Sequence, residues 1–231
     1  MKLKTKHLKK YAKRVRVPRT RKINPPGSPP GEVYPTAIDT SASSTIDIIS
    51  FTMESWSRQN FSNAHDVLLY LKASQDKRDC IHVVGLRADI IYEIGEKLGL
   101  HKLALEDVID DHQIAKCENY GDHLFIVVKT LKHKESVIYE QLSLFLGENF
   151  VVTFQQKPGD TLEQVRERLS RQTSRIRTQG CQYLTYAILD AIIDSYFPIL
   201  ETYADQITHT ENALMERRFQ ITHTENALME R

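Results

Sequence analysis

The densest group of side chains able to do chemistry is the acidic run Glu106, Asp107, Asp110 and Asp111, set within GLHKLALEDVIDDHQIAK at residues 99–116. On a helix, Asp107, Asp110 and Asp111 stand at i, i+3 and i+4 and share one face, while Glu106 lies about 100° round the axis and pairs with Asp110 at i+4. Like charges at these spacings repel by roughly 0.2–0.5 kcal/mol a pair, so something must offset them: a helix N-terminus, basic neighbours or a bound cation. Hard carboxylate oxygens suit a hard divalent ion, and the alternative is a solvated helix face. Other candidate groups offer less. His101, His112, His123 and His133 lack the H-x3-H spacing of a ligand pair on one helix. Cys80, Cys117 and Cys181 lie far apart without a CxxC pair, which argues for a reducing compartment and against a zinc knuckle or disulfide framework. Metal-assisted phosphoryl transfer is an alternative use of the carboxylates, but no Gly-rich phosphate loop, placed nucleophile or HExxH motif accompanies them.

The elements that must position this run are legible on both sides of it. IDIISFTM at 46–53 and CIHVV at 80–84 read as strands, and Asn63 before AHDVLLYLK reads as the N-cap of a helix. DIIYEIGEKL at 89–98 places Ile90, Ile91, Ile94 and Leu98 at helical spacing and stops at Gly99. Beyond the acidic run, HLFIVVKTL, SVIYEQLSLFLG and NFVVTFQ read as strands, the last two antiparallel across a turn at 147–149. Thr161 opens a charged helix, and Gly180 separates it from a further helix that runs to the end of the chain. The order predicts a mixed-sheet α-β-α sandwich over residues 33–178, followed by a long C-terminal stalk helix over 179–231.

Charge is unevenly distributed. The net value of +1 hides eleven Lys and Arg before residue 23, so the remainder is acidic. With NPPGSPPG at 24–31, residues 1–32 read as a flexible basic tail suited to an anionic surface; Tyr11 alone interrupts it with an aromatic ring, so no specific nucleic acid is expected. No secretory signal and no uninterrupted run of about 18 apolar residues is present, because Asp190 and Asp194 break the stretch Leu184 to Leu200. Tyr183, Tyr186, Tyr196 and Phe197 are spaced for core or protomer contact rather than a binding box.

Taken together, GLHKLALEDVIDDHQIAK, YGDHLFIVVKTL, EQLSLFLGENFVVTFQ, GDTLEQVRERL and YLTYAILDAIIDSYFPILE resemble the cytoplasmic domain of the CorA family of magnesium and cobalt channels, over about residues 33–207. The resemblance implies a homopentamer on the cytoplasmic side of the membrane, with stalk helices leading to membrane segments and a Gly-Met-Asn pore signature. This sequence contains neither, so the expectation is the soluble sensor half. It also implies regulatory Mg2+ between protomers, held by Glu106, Asp107 and Asp190, with Asp110, Asp111 and Asp194 as subsidiary candidates and Co2+ as a second transported ion. A zinc-transporting branch shares the fold and is the alternative within the superfamily. Ile114-Ala115 and Cys80 depart from the family's common Arg-Pro and Trp. At the C-terminus, QITHTENALMER at 206–217 recurs unchanged at 220–231, an offset of two heptads that sets Ile207, Leu214, Ile221 and Leu228 at heptad spacing.

Overall fold

Two apolar layers, one on each face of a single mixed sheet, organise the chain. The structure is a computed structural model and describes residues 44–73, 77–110, 112–133, 137–159 and 162–229; the basic tail and Asp111 lie outside them. The strands are β1 (Thr45–Phe51), β2 (Trp56–Phe61), β3 (Arg78–Val84), β4 (Lys116–Asn119), β5 (Leu124–His133), β6 (Val137–Leu146) and β7 (Phe150–Gln155). They line up in the order β2-β1-β3-β7-β6-β5-β4. Every neighbouring pair is antiparallel except β3 with β7, where Ile81 stands opposite Val152. That parallel pair joins an N-terminal three-strand unit to a C-terminal meander.

Strand alternation divides the apolar residues between the two faces. Ile46 and Ile48 of β1, Ile81 and Val83 of β3, and Phe125, Phe145 and Phe154 face a core covered by α1 (Ala64–Ala73), α2 (Ala88–Lys97) and α3 (Lys102–Ile109). Ile49, Phe51, Cys80, Leu142, Leu144 and Val151 face the second core, covered by α4 (Glu163–Ser170) and α5 (Arg175–Asp194). Because both faces are covered, the central strands read as almost continuous apolar runs. Asn63 caps α1 as expected, its Oδ1 accepting from the Asp66 N–H at 2.9 Å.

Three local readings change. β2 and β4, absent from the sequence reading, are edge strands with largely solvated side chains, so they carry no apolar alternation to reveal them. Gly180 does break the helix, at φ 78° and ψ −155°, but the segment before it is a separate one starting at Arg175 and not the charged helix α4, which ends at Ser170. Ser174 caps the start of α5, and a β-carbon at the Gly180 kink would stand 3.0 Å from the Arg78 side chain. The acidic run, finally, is not one helix. α3 ends at Ile109, and Asp110 is extended at φ −81°, ψ 100°, so it leaves the face that carries Asp107.

The helix α6 (Phe197–Met229) runs through the first copy of the repeated segment and into the second as far as Met229. Among the described residues, Arg175–Thr222 is the one stretch long and apolar enough to cross a membrane by length and composition. Its first part, however, packs Leu184, Ala187, Ile188 and Ile192 against the sheet in the manner of a core helix.

Candidate cation site

Gly99, at φ +69°, ends α2 and lets the chain turn directly into α3. Ala104, Leu105 and Val108 bury one side of α3, leaving Glu106 and Asp107 half-buried on its outer side. Glu106 lies close to α2: burial first, and the charge of Glu106 second, push the Tyr92 phenol above its ordinary pKa.

Asp107 has a basic partner. Its Oδ2 accepts from Lys116 Nζ at 2.6 Å, and the same ammonium donates to Glu118 Oε1 at 3.0 Å. Burial pulls the Lys116 ammonium down, but its hydrogen bonds to Asp107 and Glu118 outweigh this and hold it above the ordinary lysine value. Glu118 is correspondingly held below the carboxylate range by Lys116. Repulsion within the run is therefore offset by a lysine from the next strand, nine residues beyond Asp107 and invisible to helical spacing rules.

The end of α3 is fixed by a residue that sequence reasoning missed. Gln141, buried in β6, donates Nε2 to the carbonyls of Asp107 at 3.0 Å and Asp110 at 3.1 Å, two acceptors of the kind a helix end leaves without intrahelical partners. Its Oε1 accepts from the Gln113 N–H at 3.1 Å and from Lys129 Nζ at 3.0 Å. Asp110 completes the stop: Oδ1 accepts from the His112 N–H at 3.1 Å, a side-chain turn that competes with continued helix. A glutamine within the apolar strand sequence EQLSLFLG was the available signal.

Asp190 sits elsewhere. It is half-buried on α5, across the sheet from α3, and its Oδ1 accepts from Tyr186 OH at 3.3 Å. Asp194 is exposed one turn later, and Arg166 binds Glu163 at 2.6 Å and approaches Asp47 at 4.0 Å. Glu106 and Asp107 are thus adjacent, while Asp190 belongs to the opposite layer. Among the described residues no cluster of three or more His, Cys, Asp or Glu side chains is arranged to hold a metal within one chain.

The chain thus combines a seven-stranded mixed sheet covered by helices on both faces with an acidic short helix at one side and a long terminal helix. The family model of the CorA-like Mg2+ transporter protein matches residues 81–228, and the chain belongs to that family, which is one of transporters and not of enzymes. Over 176 residues it is 34% identical to the cobalt/magnesium transport protein CorA of Thermotoga maritima, covering 74% of this chain and 50% of that protein. The chain thus spans about half the length of that relative. The soluble domain of CorA from Methanocaldococcus jannaschii superposes with a TM-score of 0.56 at 18% identity, covering 74% of this chain and 64% of the other. The ZntB cytoplasmic domain from Vibrio parahaemolyticus gives 0.54 at 8% identity, with coverage of 73% and 65%. The last two likenesses concern the fold alone.

Proposed function

We propose that this chain is the magnesium-sensing cytoplasmic domain of a CorA-type Mg2+/Co2+ channel, regulated by cations that Glu106 and Asp107 of one copy share with Asp190 of another. The observation that carries this reading is the placement of the acidic pair and Asp190 on opposite faces of one sheet. Packing that covers both faces prevents a single chain from closing such a site, so a shared ion has to bridge two chains. All three donors are carboxylates, which favour hard, oxygen-loving Mg2+ over the softer ions that seek thiolate or imidazole. Mg2+ retains several waters and needs only one or two protein carboxylates from each side, so its affinity is modest. Asp110 and Asp194 stand within a turn of the primary donors and supply outer charge, and Asp111 is assigned with them from sequence alone.

Assembly follows from the same reading. Leu200, Ile207, Leu214 and Ile221 stand at every seventh position of α6 and are largely exposed, a seam suited to helix contact in a homopentamer. Ion binding that is stronger in the closed assembly than in the open one must favour closure, and falling Mg2+ then lets the carboxylates repel. The pore is assigned to the part of such channels that lies outside the matched span.

Lys116 acts as the resident competitor. Its ammonium occupies the Asp107 carboxylate at 2.6 Å and must yield when a divalent ion arrives. Limited proteolysis of the full chain across a Mg2+ titration tests the assignment. Asp107→Asn is expected to raise the Mg2+ concentration that gives half-protection by about tenfold or more, since removing one member of a charge contact leaves the rest uncompensated. Protection curves that coincide for the parent, Asp107→Asn and Asp190→Asn would return the acidic run to a solvated face.

A further inference from the structure

The N-terminus of α3 is closed by two imidazoles, and both act as hydrogen-bond acceptors. His101 is the N-cap, its Nδ1 accepting from the Leu103 N–H at 3.3 Å. The His101 N–H in turn donates to Nε2 of His123, a buried residue at the end of the β4–β5 turn, at 3.4 Å. Tyr120 stacks between the two rings, with centroids 4.7 Å from His101 and 5.6 Å from His123. An imidazole nitrogen accepts only while unprotonated, so both bonds require the neutral ring. A positive charge at either position would also face the positive end of the helix dipole.

The same hairpin holds the other end of α3. Tyr120 OH donates to Glu118 Oε2 at 3.1 Å, and Glu118 shares Lys116 with Asp107. The imidazoles and the acidic pair are therefore gripped by one structural unit, at opposite ends of an eight-residue helix. We propose that His101 and His123 form a proton-operated clasp on α3, through which acidification loosens the helix and weakens its hold on a divalent cation at Glu106 and Asp107. The first half stands on the hydrogen bonds; the second rests on the cation reading above.

The groups around the clasp set its direction. Burial lowers the His123 pKa, as does the neighbouring His101, and Asp122 on the hairpin opposes them. Tyr120, Glu118 and Lys116 approach from β4, Lys102 follows His101 in the chain, and β6 contributes the Phe145 ring at 5.7 Å from His123. His123 is thus neutral near neutrality and takes a proton only below the ordinary imidazole range. Acid removes the acceptor and places a cation among aromatic rings.

The test is hydrogen–deuterium exchange of residues 100–110 in the full chain, corrected for intrinsic pH dependence, at about pH 7.5 and about pH 5.5, either side of the ordinary imidazole pKa. In chelator, protection of α3 is expected to fall about tenfold on acidification, as for loss of a helix cap. With His101→Asn and His123→Gln together, which keep neutral acceptors at both pH values, the fall should shrink to less than about twofold. His101→Asn alone, at an exposed position, gives an intermediate loss and guards against a misfolded double variant. Mg2+ titrations at the two pH values should show a midpoint that rises with acid in the parent and not in the double variant. An unchanged α3 protection in the parent, or an equal fall in the double variant, overturns the clasp whatever Mg2+ does. Loosening without any change in the Mg2+ midpoint overturns the coupling and the cation reading at this helix, and leaves the clasp standing.

Discussion

The two faces of the sheet treat polar groups in opposite ways. Beneath α4 and α5 the polar groups are sealed in. Arg177, 2% exposed, donates Nε to the Thr52 carbonyl at 2.9 Å, and His82 holds Thr153 Oγ1 at 2.8 Å. Burial pushes the Cys80 and Cys181 thiols up to about 12, which leaves them protonated and inert. Around α3 the polar groups are half-exposed and paired in a chain from Tyr120 through Glu118 and Lys116 to Asp107. Sealed groups specify the fold because exchanging their partners costs burial of an unpaired charge. Half-exposed pairs can trade a partner for a proton or an ion at little cost. On the proposed cation reading, structure and response are separated by the sheet, and Asp190 on α5 is the exception that ties them together.

Deep substitution on the sealed face should give the largest effect. Leu184→Ala, at a fully buried position on the inner side of α5, is expected to cost about 2–5 kcal/mol in urea unfolding. The Mg2+ midpoint of the surviving folded fraction should hardly move. A marked midpoint shift would show that the two faces are not independent.

Acid distinguishes the faces next. Burial first, and the charge of Arg166 second, lower the His82 pKa to about 3. The unfolded chain binds this proton near the ordinary imidazole value while the folded chain does not, so the contribution is fully present above about pH 6.5 and is lost as pH falls towards about 3. His82→Gln should flatten that part of the stability–pH curve measured by chemical denaturation. A curve of unchanged slope would mean that another group carries the acid sensitivity.

Packing between α2 and α3 gives a smaller effect of a different kind. A β-carbon at Gly95 would meet Leu105 Cδ1 at 2.4 Å, so Gly95→Ala must push aside the Leu105 side chain through which α3 packs on α2. The expected loss is about 1–3 kcal/mol, accompanied by a weaker Mg2+ response than the stability loss alone explains. An equal stability loss with an unchanged Mg2+ midpoint would detach the position of α3 from sensing.

The smallest expected change sharpens the comparison most. Lys116→Met removes the competing ammonium from Asp107, and the Mg2+ midpoint should fall by about two- to fivefold, the size of a partly exposed ion pair. A rise instead would make Lys116 a support of the site and not its competitor.

How far these regions were legible in sequence follows the same division. The sealed core was readable, since IDIISF, CIHVV and NFVVTF carry uninterrupted apolar residues and DIIYEIGEKL carries helical spacing. Edge strands β2 and β4 were not, because WSRQNF and KCEN bury too little to show a period. The acidic run was found as a composition, but its geometry was misread. Helical spacing counted Asp110 with Asp107, whereas tertiary hydrogen bonds from Gln141 and the side-chain turn of Asp110 end the helix at Ile109. Lys116 and His123 act across the β4–β5 hairpin, so no local spacing rule reaches them.

Sharing of a cation between chains is tested most directly by mixing two defective chains. At a Mg2+ concentration that just associates the parent, Asp107→Asn and Asp190→Asn should each stay dissociated in sedimentation velocity, because every interface lacks one carboxylate donor. An equimolar mixture retains an intact Asp107 on one chain and an intact Asp190 on the other, and Mg2+ should restore association through those mixed contacts alone. A mixture that stays as dissociated as either variant by itself, while the parent associates, would contradict a site built from Asp107 and Asp190 of different copies.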